Sequence, residues 1–205
     1  MEVNSYITLE QVNETKIVEK GSIFNCYSYP IQTLDEAHSI LESLKTKYYD
    51  ASHFCYALSL VDNTVRHSDS GEPSGSAGIK IFNAIQHFNL KNVIVIIVRY
   101  FGGTKLGIGL LGKTYYNAAY ENLDKAIKSV KKKYTHLLIS ADFEFIGDVY
   151  KLSSIYNLKI INSDYSNLVE LDVLVLPEKC SQLNNELKNI SFGKIQIKII
   201  EDLYL

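Results

Sequence analysis

Both arginines of this 205-residue chain, and eight of its eleven glycines, fall between residues 66 and 112. Arg66 leads into Arg66-His-Ser-Asp-Ser-Gly-Glu-Pro-Ser-Gly-Ser-Ala-Gly78, and Arg99 into Arg99-Tyr-Phe-Gly-Gly-Thr-Lys-Leu-Gly-Ile-Gly109. Glycines at this density mark backbone that takes positive φ or approaches something closely. A guanidinium is permanently charged and forked, which suits a carboxylate or a phosphate. Ser68, Ser70, Ser74 and Ser76 add hydroxyls just ahead of a predicted helix, whose free amides would complete an anion site. Asp69 and Glu72 in the same loop are open to three uses: pairing with Arg66 and Arg99, contacting a metal beside a bound phosphate, or capping turns. The loop reads either as a purely structural turn or as a ligand or partner surface, with the second favoured.

Two further patterns carry chemistry on paper. His53 and Cys55 stand two apart on a predicted strand, so they share a face and can be read as a nucleophilic pair or as part of a metal site. Neither reading has a completing constellation, and a small buried thiol is the plainer one. Gly107-Ile-Gly-Leu-Leu-Gly-Lys-Thr114 satisfies GxxxxGK[ST], and its first six residues satisfy GxGxxG. A phosphate loop must follow directly from a strand, whereas here about seven residues separate Arg99 from Gly107. The apolar Ile108, Leu110 and Leu111 read as helix, and no strand ending in an acid about 20 residues on supports a dinucleotide site. Both matches are rejected, and no metal or cofactor is assigned.

The elements that must hold these residues are legible from periodicity. Residues 15–30 read as a hairpin about Gly21. Thr33-Leu-Asp-Glu36 is a capping box ahead of a helix through Ala37, Ile40, Leu41 and Leu44. Residues 53–61 read as a strand, 79–88 as a short helix, the β-branched run 92–98 as a strand buried on both faces, and 107–129 as a long helix. Lys131-Lys-Lys133 interrupts the apolar pattern and is taken as a linker. Beyond it come a strand at 135–143, a helix at 147–157, strands at 159–165 and 168–175, a helix at 177–189 and a strand at 192–200. That βαββαβ order is the split-βαβ, ferredoxin-like pattern. The expectation is an α+β protein of two domains, 1–132 and 135–205.

A hydrophobic content of 46%, a charged content of 21% and a net charge of −2 fit a soluble globular protein and argue against a strongly basic nucleic-acid binder. No apolar run approaches a membrane span, the first 20 residues are too polar for a secretion signal, and Cys26, Cys55 and Cys180 read as reduced thiols. A cytoplasmic location with no membrane partner is expected.

At His53-Phe-Cys-Tyr-Ala57, Ser68-Asp-Ser-Gly-Glu-Pro-Ser-Gly-Ser-Ala-Gly78, Val98-Arg-Tyr-Phe-Gly-Gly103 and Lys105-Leu-Gly107 the chain resembles the IMPACT/YigZ family, and Lys159-Ile-Ile-Asn-Ser-Asp-Tyr165 is similar to bacterial members. The resemblance covers almost the whole chain. It implies an N-terminal domain like the second domain of ribosomal protein S-five and a C-terminal domain like the ferredoxin-like fifth domain of elongation factor G. Three positions depart from the family pattern: Ser70 stands where a second acid is usual, Ile23 where a base is usual, and Leu110 where a glycine is usual.

Two functions compete. The first, favoured, is a non-enzymatic, translation-associated regulator binding a protein partner, RNA or the ribosome, with no DNA specificity. Any RNA contact is expected at Lys125, Lys128 and Lys131–Lys133, at the end of the long helix. The alternative is an enzyme acting on a phosphorylated or carboxylated small molecule. Both use one predicted site, in which Arg66, Asp69, Gly71, Glu72, Ser74 and Ser76 of the first loop meet Arg99, Tyr100, Gly102, Gly103 and Lys105 of the second, walled by His53 and Tyr56.

Overall fold

The computed structural model describes residues 3–205, which form two compact units: residues 6–130, and residues 131–205 together with 3–5. The protein is of mixed α/β class, with two sheets and five α-helices among the described residues.

In the 6–130 unit, strands β2 (Asn13–Glu19), β3 (Ser22–Pro30), β4 (His53–Ser59), β5 (Val65–Ser68) and β6 (Val93–Tyr100) form an antiparallel sheet in the order β2-β3-β6-β4-β5. β1 (Ser5–Leu9) precedes them. Helix α1 (Leu34–Lys47) covers one face of the sheet, and α2 (Gly78–His87) and α3 (Ile108–Lys125) cover the other. The capping box forms as expected: the Glu36 amide donates to Thr33 Oγ1, and the Gln32 amide donates back to the Glu36 carboxylate. β6 is central because its sequence has no polar face. Ile94, Ile96 and Val98 pack with Leu41, Leu44 and Leu58 on the α1 side, while Val93, Val95 and Ile97 pack with Ile81, Ile85 and Leu123 on the other. At about 1.5–3 kcal/mol for each large apolar side chain buried, this strand carries much of the unit's hydrophobic stabilisation.

In the second unit, β7 (Lys128–Ala141), β8 (Lys159–Asp164), β9 (Val169–Val175) and β10 (Gln196–Tyr204) pair in the order β10-β7-β9-β8. α4 (Ile146–Tyr156) and α5 (Pro177–Ile190) connect them. Alternation along β7 and β9 places Leu137, Ile139, Leu171 and Val173 against Val149, Leu152, Leu183 and Leu187. α4 closes on Asn157 in the left-handed region (φ 53°), and Pro177 opens α5 where its missing N–H costs nothing. Residues 3–5 belong to this unit: the Lys133 amide donates to the Asn4 carbonyl and the Tyr204 hydroxyl to the Val3 carbonyl.

The lysine triplet is not a linker. β7 begins at Lys128 and runs through it, so Lys131–Lys133 are strand residues whose alternation is masked by charge. The Lys133 amine turns inward to Asp202 at 2.9 Å. β10 begins at Gln196, later than expected, because Phe192 and Gly193 form a positive-φ turn (52° and 81°). β1 and β5 were not foreseen.

Candidate functional site

The first glycine loop is organised by one carboxylate. Asp69 Oδ1 accepts the amides of Ala77 (2.9 Å) and Gly78 (2.8 Å), and its Oδ2 accepts that of Gly75 (2.8 Å). Burial works against ionisation here, but the three amides outweigh it and hold the carboxyl below its usual range. Ser68 Oγ accepts the Ser70 amide, Ser70 Oγ accepts the Phe54 amide, and the Ser76 hydroxyl donates to the Pro73 carbonyl. Of the three uses open to Asp69, it is the turn-capping one that is realised, and among the described residues no ion pair joins it to either arginine. Ser74 stays exposed at the loop's outer edge.

Glu72, by contrast, points inward. Its Oε1 accepts from Arg99 Nη1 and, at 2.8 Å, from the Tyr115 hydroxyl; the Glu72 and Arg99 side chains are 4% and 5% exposed. Arg99 Nη2 donates to Ser22 Oγ (3.2 Å), which also accepts the Gly102 amide (3.1 Å). The guanidinium lies 5.2 Å from the Phe24 ring centre and 5.7 Å from that of Phe101. Gly102 is obligatory for a packing reason: a Cβ there would stand 2.0 Å from the Gly21 carbonyl carbon. Thus the second loop and the β2–β3 turn meet backbone to backbone, and Arg99 is held where they meet.

His53 borders this cluster. Its Nδ1 lies 2.8 Å from the Ser70 carbonyl oxygen, which can only accept, so Nδ1 carries the hydrogen. Nε2 is the ring atom left to exchange a proton, 3.9 Å from Glu72 Oε2. Gly71 turns the loop beside the ring at a positive φ of 83°, where a side chain would be strained. Cys55, on the same face of β4, donates from Sγ to the Asp69 carbonyl (2.9 Å) and sits 3.3 Å from the Tyr115 hydroxyl. Burial pushes its thiol up to about 12, with the charges of Glu72 and Asp69 adding to that and the Tyr115 hydroxyl opposing it. Cys55 Sγ and His53 Nδ1 are thus each turned to a carbonyl of the first loop, and among the described residues no hydrogen bond joins them as a nucleophilic pair. Among the described residues no group of three or more His, Cys, Asp or Glu is placed to hold a metal ion.

The two loops converge on one cleft of about 400 Å³. Glu72 and Pro73 of the first loop line it with Phe101, Lys105 and Ile108 of the second, and His53 and Arg99 lie between them. Phe101 and Ile108 are exposed, at 48% and 67%, so the mouth is apolar. Gly103 (φ 84°) turns the second loop beside them.

Ser76 lines a separate cavity between α2 and α3, and three further expected members lie on the other face of the sheet. Arg66 lies on β5 opposite Leu58, and it lines a separate cavity with Tyr56, His38 and Leu41 on the α1 face. Tyr100 also faces that side, one residue past Arg99 on β6, and its hydroxyl donates to Asp50. Strand alternation sends neighbours to opposite faces, which is why Arg66, Tyr56 and Tyr100 cannot join Arg99. Gly107–Thr114 forms no phosphate loop, for α3 begins at Ile108 and the stretch is helical. Sequence reasoning missed two contributors. Tyr115 lies within the long helix, where a buried tyrosine hydroxyl needs a partner, and that was the available signal. Ser22 gave none. The lysines proposed for RNA are partly occupied: Lys128 Nζ donates to the Leu123 and Ala126 carbonyls at the end of α3, and Lys133 is paired with Asp202.

The family model for the Impact N-terminal domain matches residues 20–123, the stretch that carries the cleft and both loops. The chain belongs to the IMPACT family. It is 31% identical to the IMPACT family member YvyE of Bacillus subtilis (strain 168), over 99% of this chain and 94% of that protein. It is 28% identical to the IMPACT family member YigZ of Escherichia coli (strain K12), over 82% of this chain and 85% of the relative. Protein IMPACT of Rattus norvegicus is 25% identical over 58% of this chain but only 44% of its own length. A solved structure described as that of an hypothetical protein superposes with a TM-score of 0.69 at 25% identity, covering 97% of this chain and 98% of the other. The membership read from the loop motifs therefore stands, and the likeness to the solved structure covers both units. No helix among the described residues is long and apolar enough to cross a membrane.

Proposed function

We propose that this IMPACT family member is a non-enzymatic, cytoplasmic binding protein, and that its cleft docks an apolar side chain with an adjoining anionic group on a component of the translation apparatus. The observation that carries the reading is how the acids are used. Asp69 is committed to three loop amides, and Glu72 to a buried pair with Arg99 and to Tyr115. What remains accessible at the mouth is Phe101, Ile108 and the Lys105 ammonium, a composition suited to holding a partner. The strand order β10-β7-β9-β8 supports reading the 131–205 unit as a ferredoxin-like domain, akin to the fifth domain of elongation factor G, and the 6–130 unit as akin to the second domain of ribosomal protein S-five.

One observation favours the alternative, an enzyme acting on a phosphorylated or carboxylated small molecule: His53 is oriented by a backbone carbonyl with Nε2 left to accept a proton, as a general base would be. Co-sedimentation with ribosomes at low and moderate salt, run beside a turnover screen of phosphorylated and carboxylated metabolites, separates the two. Binding proper predicts salt-sensitive association that Lys105→Glu and Phe101→Ala weaken. Turnover lost in His53→Gln, without ribosome association at either salt, would replace this reading with the enzyme.

A further inference from the structure

A second cavity, of about 410 Å³, opens between the first turns of α2 and α3. Ile108 lines both this cavity and the cleft, so the two are neighbours. Its polar lining is Ser76, Lys80, Asn83 and Lys113. Among the described residues neither lysine is paired with an acid. The Lys80 stem crosses α3 where Gly112 has no side chain: a Cβ on Gly112 would lie 3.3 Å from Lys80 Cε. α2 contains no acid, and the first acid of α3 is Glu121, already facing Lys125 at 3.8 Å. In a chain of net charge −2 this is a locally cationic surface.

Aromatic rings continue from the cavity. Tyr116 lines it, and one turn on, the Tyr120 ring centre is 5.9 Å away. Phe88 follows at 5.1 Å from Tyr120, and His87 at 5.0 Å from Phe88. His87 is exposed, Tyr116, Tyr120 and Phe88 are half-buried against the core, and Lys128 Nζ lies 4.8 Å over the Phe88 ring. Lysines beside a row of aromatic faces match a chain of phosphates with unpaired bases, because the ammonium groups neutralise phosphate and each ring offers a stacking platform of any sequence preference. The row holds more rings than one nucleotide can use, which favours a strand over a mononucleotide.

We propose that this α2–α3 face binds single-stranded nucleic acid, with phosphates at Lys80 and Lys113 and bases on Tyr116 and Tyr120. The surface goes beyond the docking cleft and does not depend on it.

Fluorescence anisotropy with short labelled oligouridylate and oligothymidylate tests this on the full chain, and the pair shows whether RNA or DNA is preferred. Tyr116→Ala is expected to weaken binding roughly tenfold, whereas Tyr116→Phe, which keeps the ring, leaves it unchanged. The double variant Lys80→Ala/Lys113→Ala is expected to flatten the log-affinity against log-salt slope by about 1.4, two phosphate contacts on a single strand. Thermal melts check folding; should Tyr116→Ala fail to fold, the lysine pair and Tyr116→Phe still decide. No binding of either oligonucleotide at low salt would overturn the proposal. So would displacement by polyglutamate as effective as by oligonucleotide, which would make the face an acidic-peptide site, or an unchanged salt slope in the lysine variant.

Discussion

Arg66 and Arg99 send their side chains to opposite faces of the same antiparallel sheet. Arg99 reaches the α2–α3 side and is buried against Glu72, while Arg66 stands across from Leu58 on the α1 side. The chain's two guanidinium groups therefore do unlike jobs. One fastens the glycine loops together, and the other is an exposed cation whose Nη1 donates to the Val65 carbonyl beside it.

Arg99→Ala should destabilise the protein by about 3–5 kcal/mol, because it strands the Glu72 carboxylate in the interior. Arg66→Ala should fall within about 0.5 kcal/mol of the wild type. Urea titration of both variants checks this, and a mild Arg99→Ala would mean that Glu72 finds other company.

Asp69→Asn replaces a carboxylate that accepts three amides with a weaker acceptor, at an expected cost of about 1–3 kcal/mol at neutral pH. The folded state holds this carboxyl below its usual value. Its stabilisation is therefore fully present above the unfolded value of about 3.9 and fades as pH falls through the lower folded value. Melting curves across the acid range should show wild type and Asp69→Asn converging at low pH; a constant gap would remove Asp69 as the cause.

Ellman titration near pH 8 should label no more than Cys180 in the native protein. Burial pushes the thiols of Cys26 and Cys55 up, the latter to about 12, while Cys180 is the half-exposed one. Denaturant should release the other two. Prompt native labelling of two or more thiols would show that the β3–β4 core opens.

Trypsin should cut first at Lys105, in the exposed segment between β6 and α3, and spare Lys131–Lys133. Lys132 exchanges both backbone hydrogen bonds with Leu205, and Lys133 is buried. Early cleavage within the triplet would mean that β7 frays.

Much of the frame was legible because single elements carried their own signals. The run 92–98 announced a doubly buried strand and became β6, and Thr33 with Glu36 announced α1. The two glycine loops were expected to share a pair of arginines, whereas Arg66 stands across from Leu58 on the other face of the sheet from Arg99. What was not legible was defined by pairing rather than by local pattern. β5 has four residues and exists only through its register with β4, yet it decides which face Arg66 takes. The lysines of β7 hid their alternation behind charge until Asp202, almost seventy residues later, supplied the partner for Lys133. Asp69 was placed correctly in its loop, but its occupation by three amides depends on φ values that residue types only hint at.

The central position of β6 also bears on how the chain is made. Val93–Val98 is an uncharged, β-branched stretch with the composition of an aggregation-prone segment while it is unpaired. Its two neighbours in the sheet, β3 and β4, both precede it in sequence, so a chain emerging N-terminus first has both edges waiting when the stretch leaves the ribosome. Lys91 before it and Arg99 after it act as gatekeepers over that interval. Arg99 therefore guards solubility during synthesis before it ever meets Glu72, and a circular permutant that places β6 ahead of β3 would lose that order of arrival and form inclusion bodies.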